Sequence, residues 1–491
     1  MSTLPPEPPL TVLLGLPFHD LTLAETLGYC TTAMQDDHPR FLVTANVDFT
    51  TQAYQDPDLR KIVFFADRVV CDGMPLVWLS RWFGYPLRER VTGSDMVPQL
   101  LAICAAQGHA VYFFGSDLAT LIEAKAIVET RYPGLKVAGL DSPPHGAVIE
   151  WDNEALCAKM RASGARLLLV CLGCPKQERW IWAHHRESGI PLSIGVGASL
   201  DFITGKQRRA PRWMQKTGME WFWRMSGSPS RLVSRYGKDL AFLVHAAWQQ
   251  TLSQRRRRIL GGSVQQRPSP ALPQDPPQEL PLLRIAWRGD LHKRGLTDAP
   301  LPETIATPIV LDASGVTFMD SAGLGQLALL IRLCRGAKQP LVVVRPATAF
   351  TMAVRAVRMD SLFPTLATEA EVSAWLRQHH AGGGMHKQAA DGVAWVAFNR
   401  PLDALYHDEM MAILQAAIAN SPPPLHTLVV DLREVTFLDS RAVGGLIRTW
   451  RTLTATGGQL FLAGANPTLR EIIRLLHLDK ILPEWKGNFP L

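Results

Sequence analysis

The chain has 491 residues, 47% hydrophobic and 19% charged, which excludes a disordered or fibrous polypeptide and allows several packed domains. No run of about 18 apolar residues occurs, so no segment is expected to span a bilayer alone. The first ten residues hold four prolines and no basic cluster, and do not read as a signal peptide. Seven cysteines, at 30, 71, 104, 157, 171, 174 and 334, lie scattered in apolar stretches, which points to a reducing cytoplasm. The net charge of +7 is uneven: residues 201–258 hold 13 Lys/Arg against Asp201, Glu220 and Asp239. A localised basic stripe calls for an anionic partner.

Residues 10–245 alternate apolar runs with helical stretches, the pattern of an α/β fold. Strands are expected at 40–44, 110–114, 135–139, 165–171 and 192–195, with helices at 118–132 and 153–163. Asp117 is placed to cap the first of these helices.

Several strand ends carry polar chemistry. Thr44 and Asn46 close the first strand, where a ligand gathers in an open α/β sheet. Asp72-Gly73 ends an apolar run. A carboxylate there suits a general base, and equally an Asx-turn. Arg90 precedes Thr92-Gly93-Ser94-Asp95, a turn opening a helix whose free N–H groups suit anionic oxygens. Lys176, Gln177 and Glu178 begin another helix. Gly195 and Gly197 follow a strand and let backbone approach a ligand, although the full dinucleotide spacing is absent. Cys171-x-x-Cys174 has no second ligand pair at metal spacing, so neither zinc nor redox chemistry is expected of it. Asp56-Pro57-Asp58 matches a metal-binding D-x-D; its proline suits a helix N-terminus, and the stretch reads as a surface turn.

In order, Thr44-x-Asn46, Asp72-Gly73, Arg90-Val91-Thr92-Gly93-Ser94-Asp95, Gly173-x-Pro175-Lys176-Gln177-Glu178 and Gly195-Val196-Gly197 resemble the WecG/TagA/CpsF glycosyltransferase family. Asp201, Gly205, Arg209-Ala210-Pro211, Glu220-Trp221, Arg224, Pro229, Arg231 and Arg235-Tyr236 extend the match across 10–245. The resemblance implies a Rossmann-like domain with a basic C-terminal appendage at about 215–252. It further implies inverting, metal-independent transfer of an N-acetylmannosamine-type sugar, or its uronic acid, from a UDP-sugar to an undecaprenyl-diphosphate-linked acceptor. No cofactor is expected. Asp72 would be the base, with Thr44, Asn46 and Arg90 at the reacting groups. Gly73, Lys176, Gln177, Glu178, Gly195, Gly197, Asp201, Arg209, Arg224, Arg231 and Arg235 would bind substrate. Family members often carry Gly-Gly where this chain has Gly197-Ala198, which leaves sugar preference open.

Arg231, Arg235 and Lys238 share one helical face beside Leu232, Tyr236, Leu240 and Leu243. The pattern suits an anionic membrane surface better than nucleic acid, and places the protein on the inner face of the cytoplasmic membrane. A solvated helix packed on the domain is the plainer reading. An Arg-rich, then Pro/Gln-rich stretch at 253–280 reads as a flexible tether.

Beyond it lies an internal repeat. An offset of 119 residues superposes Val316-Thr317-Phe318 on Val435-Thr436-Phe437, Asp320-Ser321 on Asp439-Ser440, and Asp360 on Asp479 without a gap. Each copy is a small α/β domain, at 281–380 and 386–485. Both resemble the STAS domain of anti-sigma-factor antagonists, Asp320-Ser321-Ala322-Gly323-Leu324-Gly325 closely and Asp439-Ser440-Arg441 more loosely. The resemblance makes Ser321 and Ser440 phosphorylation candidates, although either serine also suits an ordinary helix cap. Partners implied are a kinase, an anti-sigma-type protein or a polysaccharide-assembly protein. The expected function is a surface or exopolysaccharide glycosyltransferase with two regulatory modules; the alternative is a UDP-sugar sensor that signals through them.

Overall fold

The computed structural model describes residues 7–487, apart from 215–281, of which only Trp223 and 242–244 are described, and apart from 145, 147, 149–150, 208, 212, 293–298, 303, 381–383, 389–392, 400–401, 403–405, 420–426, 436–437 and 476–477. The expected tether lies outside the described residues, as does the helical face of Arg231, Arg235 and Lys238. The chain divides into two compact units, Met1–Ala367 and Thr368–Leu491.

The first unit opens with a hairpin, β1 (Leu10–Leu13) and β2 (Leu16–His19), turned by Leu14 and Gly15 at φ 51° and 87°. After α1 (Leu23–Gln35) the chain alternates: β3 (Arg40–Ala45), α2 (Val47–Gln55), α3 (Pro57–Phe64), β4 (Arg68–Cys71), α4 (Met74–Trp82), α5 (Gly93–Gln107) and β5 (Ala110–Gly115). It continues through α6 (Leu118–Arg131), β6 (Lys136–Asp141), α7 (Asn153–Ala162), β7 (Leu167–Cys171), α8 (Lys176–Ser188), β8 (Leu192–Gly195) and α9 (Ser199–Thr204). The six strands β3–β8 form one parallel sheet in the order β4-β3-β8-β7-β5-β6. Runs such as Leu167–Val170 are buried at every residue, as a parallel sheet covered on both faces requires. The core joins Leu42, Val70, Phe113, Leu169 and Ile194 of the sheet to Met34, Leu100 and Cys104 of the helices.

All five expected strands are present, shifted by a residue or two at their ends, and Asp117 caps α6 by accepting from the Thr120 amide. The Asp56-Pro57-Asp58 stretch, read as a surface turn, is instead a helix start. Asp56 caps α3, Pro57 occupies its first turn, and Asp56 pairs with Arg179 at 2.6 Å.

Still within the first unit come β9 (Leu283–Leu291), β10 (Ile309–Met319), α10 (Ser321–Gly336), β11 (Leu341–Val344), α11 (Thr348–Ala356) and β12 (Thr365–Leu366). They form a four-stranded parallel sheet, β12-β11-β10-β9, backed by α10 and α11. This small domain is docked on the larger one. One buried apolar cluster holds Leu10, Val12 and Phe64 together with Leu324, Leu327, Ile331 and Val357. Arg332 of α10 donates to the carbonyls of Phe64, at the end of α3, and of Ala66 and Asp67, on the loop before β4, and to the Glu7 carboxylate. Burial raises the Glu7 carboxyl, but the bond from His19 and the charge of Arg332 outweigh it and hold the group at about 2. Nδ1 of His19 accepts from the Val69 amide, so Nε2 carries the proton that points at Glu7. Arg335 stacks on Phe65, 3.3 Å from the ring centroid. Gly15 and Gly325 permit the close approach, since a Cβ on them would lie 2.7 Å from the Val357 carbonyl oxygen and 2.2 Å from that of Leu10.

In the second unit, α12 (Glu369–His380) precedes β13 (Gly384–Gln388) and β14 (Val393–Phe398). The rest is α13 (His407–Ala419), β15 (Thr427–Asp431), α14 (Ser440–Ala455), β16 (Gln459–Ala463) and α15 (Pro467–Leu475). Its sheet runs β13-β14-β15-β16, with β13 antiparallel. The repeat of 119 residues holds at the level of whole elements: α10 maps on α14, α11 on α15, and the 3-10 turn Met359–Ser361 on Leu478–Lys480. Asp320 and Asp439 cap their helices alike, each carboxylate accepting from the two amides that follow the serine.

Arg332→Ala should leave the Phe64 and Ala66 carbonyls short of a donor, while Asp67 keeps its bond from Arg68, and destabilise the first unit by roughly 2–4 kcal/mol. Thermal unfolding and limited proteolysis near residues 64–67 would report it. Arg332→Lys should restore only part, because an ammonium lacks the planar fork. A melting temperature unchanged in Arg332→Ala would show that the docking does not depend on this side chain.

Candidate active site

At the carboxyl edge of β4, β3, β8 and β7, polar side chains gather. Thr44 sits near the end of β3, with Oγ1 3.5 Å from the Gly195 carbonyl of the neighbouring strand. Asn46 caps α2 by accepting from the Phe49 amide at 2.9 Å, so its NH2 group is the part available to a substrate. The Asp72 amide donates to Ala45 at 2.9 Å, and Cys71 accepts from the Val91 amide at 2.8 Å. These two bonds tie the candidate base to the end of β3 and the Arg90 segment to the end of its neighbour β4. Asp72 and Gly73 are half-buried, and α4 starts at the next residue.

The start of α5 assembles the positive charge. Thr92 caps the helix, and its hydroxyl donates to Asp95 at 2.8 Å. The Asp95 carboxylate also receives Arg90 at 3.3 Å on one oxygen and Arg209 on the other, while Arg209 reaches the Ser94 carbonyl at 3.3 Å. Two guanidinium groups therefore stand at a helix N-terminus, an arrangement suited to a diphosphate. Asp95 was legible only as part of a motif; its place as the bridge between two arginines 119 positions apart was not. Gly93 packs against the β8–α9 loop and the start of α9, where a Cβ would lie 3.7 Å from Val196 Cα and 3.4 Å from Ser199 Oγ.

Gln177 and Glu178 are buried. The Gln177 amide donates to Glu178 at 2.7 Å and accepts from the Gly197 amide at 3.1 Å. Here the reading of Gly195 needs correction: the space its missing Cβ leaves is filled by Gln177, whose Nε2 would lie 2.6 Å from such a carbon. Gly197 does adopt a left-handed conformation, at φ 52°. Burial pushes the Glu178 carboxyl up to about 7, so it supports Gln177 from within. Lys176 points elsewhere, donating to the Gly146 carbonyl at 2.7 Å over the Trp151 ring. Asp201, half-buried on α9, faces Lys206 and Asp117 at the start of α6, and burial raises its carboxyl. Arg224, Arg231 and Arg235 lie outside the described residues.

Neither thiol of the C-x-x-C stretch is in a disulfide; Cys171 is buried and Cys174 half-buried. Among the described residues Cys157, His184 and Glu187 offer atoms within 4.8 Å of one another. His184 and Glu187 lie in the last turns of α8 and Cys157 on α7, away from the strand ends that carry Asp72. Ser321 is 1% exposed beneath the docked surface, and its neighbour Asp320 accepts from the Tyr85 hydroxyl of the larger domain. The Ser440 side chain lies outside the described residues. No described helix is long and apolar enough to cross a membrane.

Comparison with known proteins meets this geometry. Residues 11–257, half of the chain, match the Glycosyl transferase WecG/TagA/CpsF family. The chain belongs to that family. Residues 285–366 match the Mlab STAS domain and 385–488 the STAS domain. An N-acetylglucosaminyldiphosphoundecaprenol N-acetyl-beta-D-mannosaminyltransferase of Bacillus spizizenii is 29% identical over 217 residues, 44% of this chain and 82% of its own. A protein of the same name from Staphylococcus aureus is 27% identical over 214 residues, 43% and 82% respectively. An anti-sigma factor antagonist structure from Mycobacterium paratuberculosis, 29% identical, covers 21% of this chain and 85% of its own with a TM-score of 0.19. The two STAS assignments rest on the family matches. This WecG/TagA/CpsF member is a glycosyltransferase with two STAS domains behind it.

Glu178 gives a pH test. Its carboxyl lies near 7 when folded and near 4.5 when exposed, so between those values the folded state holds a proton the unfolded chain has lost. Stability from this group is therefore full below about 4.5 and falls as pH rises toward 7. Glu178→Gln should remove that slope, and the variant should gain roughly 2–3 kcal/mol relative to the parent between pH 4.5 and 7.5 in denaturant titrations. Parallel pH profiles for the two proteins would refute a protonated Glu178.

Proposed function

We propose that the protein transfers an N-acetylmannosamine-type sugar, or its uronic acid, from a UDP-sugar to an undecaprenyl-diphosphate-linked sugar in surface or exopolysaccharide assembly. Asp72, at the end of β4 and tied to the segment bearing Arg90, carries this reading. The names of the relatives support the acceptor and the mannosaminyl group.

In this mechanism Asp72 takes the proton of the acceptor hydroxyl as its oxygen attacks the anomeric carbon from the face opposite the leaving group. The new C–O bond forms as the bond to the UDP phosphate oxygen breaks, with inversion. Negative charge gathers on the departing diphosphate. Arg90, Arg209 and the amides at the start of α5 are placed to receive it, a preorganised electrostatic role. Asp95 fixes both guanidinium groups yet is itself anionic, so it positions them while leaving their remaining N–H groups to the substrate. Asn46 and Thr44 hold the reacting sugars. No metal or cofactor is required by this scheme. The lipid acceptor confines the reaction to the inner face of the cytoplasmic membrane. The first STAS domain acts as a fixed part of the catalytic body and the second as a module for partners.

The test is UDP release by the full chain with UDP-sugars, a polyprenyl-diphosphate-sugar acceptor and EDTA. Asp72→Asn should lower kcat at least about 100-fold with donor affinity little changed. Activity should survive EDTA. Donor binding without turnover under any acceptor would replace this reading with a UDP-sugar sensor.

A further inference from the structure

The helix that follows the candidate base has an outer face unlike the rest of the domain. Leu76, Val77 and Ser80 pack α4 inward. Outward, Trp78 is 47% exposed, Trp82 is 76% exposed, and Arg81 lies between them in sequence, also exposed. Trp78 and Trp82 are four residues apart and share one face. Large aromatics exposed as a pair on a soluble domain mark a contact surface.

Two features narrow what that contact is. From Gly73 to Arg88 the chain has no carboxylate, and its charges are Arg81 and Arg88. Arg88 is committed to Asp20 and Glu25, so Arg81 supplies the charge of the face. Indole rings with a guanidinium and no acid are the chemistry of the lipid headgroup region, where an amphipathic ring sits half-wet and the cation meets phosphate. The second feature is position. Nine residues of helix span about 13 Å, so the Trp face begins within roughly 10 Å of Asp72. Its presentation is fixed: Ser80 Oγ accepts from the Leu87 amide at 2.9 Å, and Tyr85 is held by Asp320. Trp213, four residues beyond Arg209, is also 59% exposed.

We infer that the Trp78–Arg81–Trp82 face of α4 seats on an anionic phospholipid bilayer, with Asp72 at headgroup height. The inference deepens the proposed reaction and rests on its lipid-linked acceptor, whose polyprenyl chain cannot leave the bilayer. In sequence, this surface lies apart from the basic stretch after Arg209.

Two assays separate the inference from that reading. Co-sedimentation of the full chain with vesicles of phosphatidylglycerol and phosphatidylcholine measures seating; UDP release with a short-chain, water-soluble acceptor measures chemistry. Trp78→Ser/Trp82→Ser should lower vesicle partition about tenfold or more, and Arg81→Glu should lower it on phosphatidylglycerol vesicles selectively. Circular dichroism and melting confirm folding, and the exposed Arg81→Glu serves if the double variant fails to fold. Partition unchanged in both variants overturns the inference, even if the soluble acceptor is turned over. Trp-dependent partition without turnover upholds the surface and sinks only the proposed reaction. Self-association that depends on the same tryptophans, with no vesicle binding, assigns the face to a second copy and overturns the inference.

Discussion

Arg332 is the constraint on which the first unit depends. Backbone carbonyls on a loop buried beneath another domain need donors, and residues 64–67 lie in such a place. A guanidinium presents several N–H groups in one plane and can serve several acceptors at once. Arg332 meets Phe64, Ala66 and Asp67 in this way while ion-pairing with Glu7. The apolar seal of Leu10, Val12 and Phe64 against α10 keeps water from competing. The loop it holds runs directly into β4, and β4 is only four residues long before Asp72. Domain docking and candidate base are thus two ends of one short, rigid strand.

At the other end of that strand the site is built from strand termini and a helix start. Positive charge there would repel itself if left alone. Asp95 draws Arg90 and Arg209 to a common carboxylate, and the α5 N-terminus adds its own partial charge. Gln177, backed by a Glu178 whose carboxyl is raised toward neutrality, then fixes the Gly195–Gly197 segment opposite. Burying Gln177 and Glu178 is tolerable because the two bond to each other and Gln177 also accepts from the Gly197 amide.

Much of this was legible in the chain. Apolar runs gave the strands of the sheet, and Asp117 announced its helix. The gapless offset between Asp320-Ser321 and Asp439-Ser440 predicted two modules whose helices match residue for residue. Local signals, caps and strand ends, carry such information because their partners are near in sequence. What could not be read depended on distant partners. Nothing near Arg332 indicates that it answers carbonyls some 260 positions earlier, and nothing near Gly195 indicates that Gln177 fills its side-chain space. Ser321 was read as a phosphorylation candidate or an ordinary helix cap; that it is buried does not follow from its local motif.

The duplicated module invites a comparison between its copies. A Cβ on Gly325 would strike the Leu10 carbonyl, whereas one on the equivalent Gly444 would meet nothing within 4 Å among the described residues. The first copy is spoken for within its own polypeptide. Covalent linkage fixes its stoichiometry with the transferase at one to one and sets an effective concentration that dilution or expression level does not alter. An interface of modest intrinsic affinity then stays occupied throughout the life of the molecule.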